Sequence, residues 1–165
     1  GVRTNATSIG AYALAECSNC LILGSVDGKN GATVTTKVGI GTTNPAYLLS
    51  VGVVGDGSQA RANAWNIFSD ERYKTNIEEI PNALEKIENL HGYYYNWKSG
   101  KDATRQAGLL AQEVESVLPE IVSTDNEGYK SVDYGKMNAL LIQAIKEQQK
   151  EIAELKAILK SKKIQ

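Results

Sequence analysis

The sequence predicts an α+β chain made of a β-rich N-terminal segment, a small α/β domain and a long C-terminal helix shaped to pair with other helices. Three observations lead there. The first is a break in composition: up to Phe68 the chain holds 10 of its 15 glycines and only seven charged residues, whereas from Ser69 onward it holds 30 charged residues and five glycines. Gly, Thr, Asn and Val disfavour helix and the Glu, Lys, Leu, Ile and Ala of the later part favour it, so a boundary falls near Ser69. The second is the density of turn signals in the first 50 residues, and the third is an apolar repeat of alternating 4 and 3 spacings near the end. A length of 165 residues is enough for one ordinary domain or for two small modules that need partners to bury a core, and the break in composition favours the latter.

In chain order, TSIGAYAL, CLILGS, TVTTKVGIG and TTNPAYLLSV read as short β segments, with the turn VDGKNGA between the second and third. Asp27-Gly28 and Asn30-Gly31 are turn dipeptides, and Pro45 interrupts any regular element. These strands are too short to enclose a core alone. VGVVGDGSQARANAWNIF (51–68) starts Gly-rich and ends on Trp65 and Phe68, so it reads as a linker anchored at its end. Pro81 suits the first turn of a helix whose Ile80, Leu84, Ile87 and Leu90 form one apolar stripe. Tyr93–Trp97 reads as a strand by aromatic content, with its alternate rings in the core. A turn at Ser99-Gly100 leads to a second strand near Arg105–Leu109. AQEVESVLP reads as a helix with Leu110, Val114, Val117 and Leu118 inward, stopped by Pro119. IVSTDNEGYKSV reads as a hairpin turning at Asp125–Gly128, and Asp133 as the N-cap of the last helix.

That last helix carries Leu141, Ile145, Gln148, Ile152, Leu155 and Leu159 at the a/d spacing of a coiled coil, with Glu and Lys between them. From Asn138 to Ser161 it would run about 36 Å. A lone helix would leave this seam wet. These residues leave the number of strands open: Ile at a with Leu at d leans toward two, and Gln148 selects register or number.

Several function classes recede. The net charge is −1 with the two signs interspersed, which reads against nucleic-acid binding. No apolar run reaches the roughly 18 residues that span a bilayer, and the N-terminus lacks the basic-then-apolar order of a signal peptide. The opening Gly1, where a methionine would start a chain, reads as the edge of a fragment. Cys17 and Cys20 are the only cysteines and His91 the only histidine. With neither a redox context nor further ligands nearby, no metal or cofactor is expected. The two cysteines read as small wall residues of a β segment, with a surface disulfide as the alternative. Glu113 and Glu115 fall on different helix faces and make no acid–base pair, and the glycines of VGIGTTNP read as turns rather than a phosphate loop.

Ser69-Asp70-Glu71-Arg72-Tyr73-Lys74-Thr75-Asn76-Ile77 sits at the composition boundary and is similar to the S-D-x-R-x-K-x-x-I start of the endosialidase-type intramolecular chaperone family. YYYNW, GLLAQEVESVLPEIV and the long helix follow in the family's order, so the resemblance covers essentially all of 69–160. Upstream, NATSIGAYALAECSNCLILGS resembles the head repeats of trimeric autotransporter adhesins, and KVGIGTTNPAYLLSV the segment before chaperone domains in tail-fibre-like proteins. Together these resemblances imply an intertwined homotrimer: a β stalk or prism (1–60), a linker (61–68), a chaperone domain (69–137) and a three-stranded coiled-coil helix (138–165). They imply a chaperone that trimerises and registers an extracellular fibre, on a virion tail or a bacterial surface, and then cuts itself off before Ser69. Carried over by position, Ser69 is the nucleophile, Lys74 the general base and Phe68–Ser69 the scissile bond, with Asp70, Arg72 and Asn76 holding the loop.

The chemistry has a clear requirement. A serine hydroxyl attacks only when a base takes its proton, and a lysine is a base only when neutral. Lysines in water titrate near ~10.4, so a basic lysine must be desolvated or set beside another cation such as Arg72. Burial between subunits would couple cutting to assembly. The rival reading is a non-cleaving trimeric tip that stays attached and binds a glycan or protein on a target cell. A membrane-linked transcription-factor precursor using the same domain fits the adhesin-like N-terminal part poorly.

Overall fold

The computed structural model describes residues 3–53, 55–98 and 103–162. It divides into two compact units, residues 1–63 with 97–104 and residues 64–96 with 105–165. Among the described residues it is α+β, with four two-stranded sheets and a long C-terminal helix.

The first unit is built from β1 (Ala6–Ile9), β2 (Cys20–Leu23), β3 (Val38–Ile40) and β4 (Leu49–Val51). Both pairs are parallel: Ala6 stands opposite Cys20 and Ile9 opposite Leu23, and Val38 stands opposite Leu49 and Ile40 opposite Val51. Each strand ends on an aliphatic residue followed by a glycine, at Ile9-Gly10, Leu23-Gly24, Ile40-Gly41 and Val51-Gly52, with every one of these glycines at positive φ. These turns wind the chain back over itself, because Gly24 N–H donates to Ile9 O and Gly52 N–H to Ile40 O, each at 2.7 Å. Stacking requires glycine: a Cβ on Gly24 would stand 2.3 Å from Thr36 Cβ. The strands are shorter than TSIGAYAL and TVTTKVGIG promised, because Gly10 turns the first and the third gains its ladder partner only at Val38.

The cysteines are not free wall residues. Cys17 and Cys20 form a disulfide. Asn19 at φ 56° folds the four-residue turn back, where its N–H donates to Thr4 O at 3.0 Å and Ser18 Oγ accepts from Thr4 N–H at 3.2 Å. The Cα atoms thereby come within 6.0 Å, inside disulfide reach. Burial is sparse: among the described residues of this unit only the side chains of Ala32 and Ser25 are buried, and Ser25 Oγ donates to Val34 O at 2.8 Å.

The second unit has a core. It holds a single 3₁₀ turn at Glu71–Tyr73, α1 (Ala83–Glu88), the antiparallel pair β5 (Tyr93–Tyr95) and β6 (Gln106–Gly108), and α2 (Ala111–Val117). A 3₁₀ turn at Pro119–Ile121 leads into the hairpin β7 (Val122–Thr124) and β8 (Lys130–Val132), and α3 (Tyr134–Lys162) ends the unit. Ala83, Val114, Leu118, Ile121, Met137, Leu140 and Ala144 are buried together, with Ile80, Leu84, Ile87 and Leu90 packed against them as the expected stripe. The helix behind that stripe is shorter than expected, because Asn82 takes φ 53° and leaves Pro81 outside it. The hairpin turns where expected: Asp125 Oδ1 accepts the N–H groups of Glu127 and Tyr129, each at 2.9 Å, and Gly128 has φ 87°. Asp133 caps α3, its Oδ1 accepting from Gly135 N–H at 3.1 Å and Lys136 N–H at 3.3 Å. The expected turn at Ser99-Gly100 lies outside the described residues.

Two expectations need correction. Trp65 and Phe68 are not anchored: they are 69% and 94% exposed, because every residue from 57 to 79 lies on the surface of the chain. The aromatic run is not core either: of the alternate rings expected inside, Tyr93 and Trp97 are exposed and Tyr95 is only half-buried. The groove beside β5 is left open, and the Tyr94 ring is covered by the Arg105 guanidinium at 3.9 Å.

Candidate functional site

The surface segment ends in a small, well-defined loop. Asp70 is the N-cap of the Glu71–Tyr73 turn and accepts from Arg72 N–H at 2.9 Å. Its two carboxylate oxygens also receive Arg72 Nε at 3.0 Å and Nη2 at 2.6 Å, a forked pair. The Arg72 side chain holds the Asp70 carboxyl below the usual carboxylate range, the backbone N–H of Arg72 adds to that, and the pair raises the Arg72 guanidinium in turn. The loop leaves the turn through Lys74, an extended residue whose N–H donates to Glu71 O, and bends again at Asn76, φ 52°. This fold-back brings the expected dyad together: Lys74 Nζ donates to Ser69 Oγ at 2.9 Å.

The two side chains that the sequence pairs as nucleophile and base thus stand within one hydrogen bond of each other. The setting is wet, since Phe68, Ser69, Asp70, Arg72, Lys74 and Asn76 are all exposed in the single chain. Arg72 is occupied by Asp70 rather than standing free beside the lysine. No group of three or more His, Cys, Asp or Glu among the described residues is placed to hold a metal, and no described helix is long and apolar enough to cross a membrane.

The six seam residues all lie on α3, and its two halves differ. Met137, Leu140 and Ala144 face the unit's own core. Leu141 and Ile145 are exposed beside them, and from Gln148 to Lys162 every residue is exposed, Ile152, Leu155 and Leu159 included. Leu141 also closes an open groove of about 680 Å³ lined by Ile87, Leu90, Tyr93, Tyr94 and Tyr134.

Two polar arrangements were not foreseen from sequence. Glu147 reaches from α3 to the start of α1, its Oε1 accepting from Ala83 N–H at 3.0 Å and its Oε2 from Leu84 N–H at 2.7 Å. Nothing in a Glu/Lys-rich helix singles out this glutamate. Glu113 Oε1 accepts from the Tyr93 hydroxyl at 2.6 Å, while Oε2 is buried with no hydrogen-bond partner among the described residues and has His91 Nδ1 3.7 Å away. Glu115 points elsewhere, to Lys130 Nζ at 2.7 Å, so the two carboxylates stay apart.

The chain thus holds a glycine-stacked β unit and a cored α/β unit, with the exposed Ser69–Asn76 loop near the start of the second. Residues 69–123 match the family described as chaperone of endosialidase, and the segment opening at Ser69 is a domain of that kind. The relatives are long tail fiber proteins Gp37. That of Salmonella phage S16 is 35% identical over 147 residues, 84% of this chain and 19% of that protein. That of Enterobacteria phage M1 is 43% identical over 104 residues, 58% of this chain and 41% of that protein. That of Enterobacteria phage Ox2 is 44% identical over 98 residues, 54% of this chain and 39% of that protein. The chain thus spans from about a fifth to about two-fifths of these curated relatives' length. Residues 69–165 number 97, so a match over 147 residues also takes in part of the β-rich segment.

Proposed function

We propose that this chain is the assembly end of a phage tail fibre: it brings three copies together, sets the register of the β segment before it, and cuts itself free at Phe68–Ser69. The observation that carries the assembly role is the bare half of α3. An isolated helix of about 15 residues is marginal in water, and a two-turn-per-heptad apolar seam on it is stable only when facing its like. The exposed Ile9, Leu21, Leu23, Ile40, Leu49 and Val51 of the β unit ask for the same remedy, since a chain with two buried side chains there gains its core from other copies. The parent protein's place is then the exterior of a virion, on its tail.

The cut rests on the 2.9 Å contact between Lys74 and Ser69. Ser69 Oγ attacks the carbonyl carbon of Phe68, closing a five-membered ring. The C–N bond breaks, the Ser69 nitrogen leaves with the proton that Lys74 took from Oγ, and the Phe68 acyl group is left on Oγ as an ester. Water then hydrolyses the ester to a Phe68 carboxylate and a free Ser69. A lysine takes that proton only as a neutral amine, a form that burial favours and water does not. Contact with a neighbouring copy supplies the drying, so cutting follows assembly. Denaturing mass measurement of freshly folded protein tests this: two pieces, 1–68 and 69–165, are expected from the parent and one intact chain from Ser69→Ala. An intact parent removes the peptidase role and leaves the assembly role.

The exposure of Ser69 and Lys74 in the single chain favours one rival, a retained tip that assembles without cutting and holds a glycan or protein on the target cell. Persistence of the intact chain in finished fibres is its mark.

A further inference from the structure

The β unit holds a tyrosine in a backbone conformation that tyrosine avoids. Among the described residues, positive φ outside glycine occurs at Asn5, Asn19, Asn30, Asn76, Asn82 and Tyr12. Asparagine tolerates the left-handed region, and a bulky ring does so only where its surroundings hold it. Tyr12, at φ 58°, is held by Asn30 Nδ2, which donates to Tyr12 O at 3.5 Å. Its ring lies over the turn at Gly31, 3.8 Å from where a Cβ would stand. The phenol ring, 60% exposed, lines a pocket of about 200 Å³. Leu14, Ile22 and Val26 form its apolar wall, and Glu16 and Lys29 its polar groups.

The pocket also lies on a telling face. Successive residues of a strand point to opposite sides, so Ile22 faces away from the exposed Leu21 and Leu23. If Leu21 and Leu23 are buried between copies, which rests on the assembly reading above, Ile22 lies on the other side of β2, and the exposed Leu14 and Val26 beside it are left for the ligand.

We propose that this pocket is a subsite for one sugar ring. Its size is below the range of drug-sized sites and suits a single ring. The exposed aromatic face fits the C–H face of a saccharide, as an amphipathic ring does at recognition surfaces. A carboxylate that only accepts and an ammonium that only donates together match hydroxyls that do both. Their charges cancel, which disfavours a phosphate or a cationic ligand.

The test uses the full chain with methyl glycosides of glucose, galactose, mannose and N-acetylglucosamine, read by saturation-transfer NMR and by the ring shifts of Tyr12. At least one glycoside is expected to receive saturation and to move those shifts. Tyr12→Asn keeps a residue that accepts positive φ while removing the ring, and should weaken binding roughly tenfold. Glu16→Gln should weaken it about fivefold. No transfer to any of the four, or unchanged binding by a folded Tyr12→Asn variant, overturns the proposal. Should that variant fail to fold, the Tyr12 ring shifts of the parent decide alone, their absence counting against the site. Native mass of the same sample separates the two readings: sugar binding by a monomer keeps the subsite and removes the assembly account.

Discussion

The two units of this chain solve the same problem to different degrees. The second, of 94 residues, buries seven apolar side chains around α3, while among the described side chains of the first, of 71 residues, only Ala32 and Ser25 are buried and the strand-end aliphatics stay in solvent. The difference repeats inside α3, whose first half packs on its own unit and whose second half is exposed throughout its described residues. Burial is therefore concentrated around 80–147, and exposed apolar side chains gather toward both ends.

The widest effect on this contrast is expected from Ile152→Asp. A carboxylate in the seam of a helix bundle has no partner and repels its copies, so the variant should be monomeric and, on the account given above, uncut; cutting by a demonstrated monomer would separate the two events. Leu140→Ala attacks the self-sufficient part instead. Removing a fully buried leucine costs about 2–5 kcal/mol, to be read as a lower urea midpoint for the second unit. The smallest effect belongs to Glu147, the tie between α1 and α3. The N–H of Leu84, and then that of Ala83, holds its carboxyl below the ordinary 4.5. A carboxyl depressed in the folded state adds stability that is present above its unfolded value and lost as pH falls through the folded one. The melting temperature should therefore fall by a few degrees below about pH 4.5, and Glu147→Gln should lack that component. Identical acid profiles for the parent and the variant would show that the tie adds nothing.

Much of this was legible in the sequence because it rests on local rules. Asp133 capping α3, Asp125 and Gly128 turning the hairpin, and the stripe from Ile80 to Leu90 each follow from spacing within a few residues. The Ser69–Lys74 loop was legible only through the likeness of a whole motif, since serine and lysine five apart carry no signal by themselves. What escaped depended on contacts between distant residues. The parallel ladders join residues 11 to 14 apart through stacked glycine turns, and turn signals alone do not say whether the strands meet parallel or antiparallel. The Glu147 clamp depends on α1 and α3 lying side by side, while the Cys17–Cys20 bond, the alternative reading of those cysteines, is local and depends on Asn19 turning left-handed. Trp65 and Phe68 misled because apolar residues usually mark a core, while here they sit bare in a segment whose burial, on this account, lies with a neighbouring copy.

The central claim is that this chain assembles as three. Native mass spectrometry of the freshly folded full chain tests it most directly. The account predicts a species of three copies, held together at micromolar concentration and lost in Ile152→Asp. A stable monomer at that concentration, with the seam of α3 still helical, would contradict it.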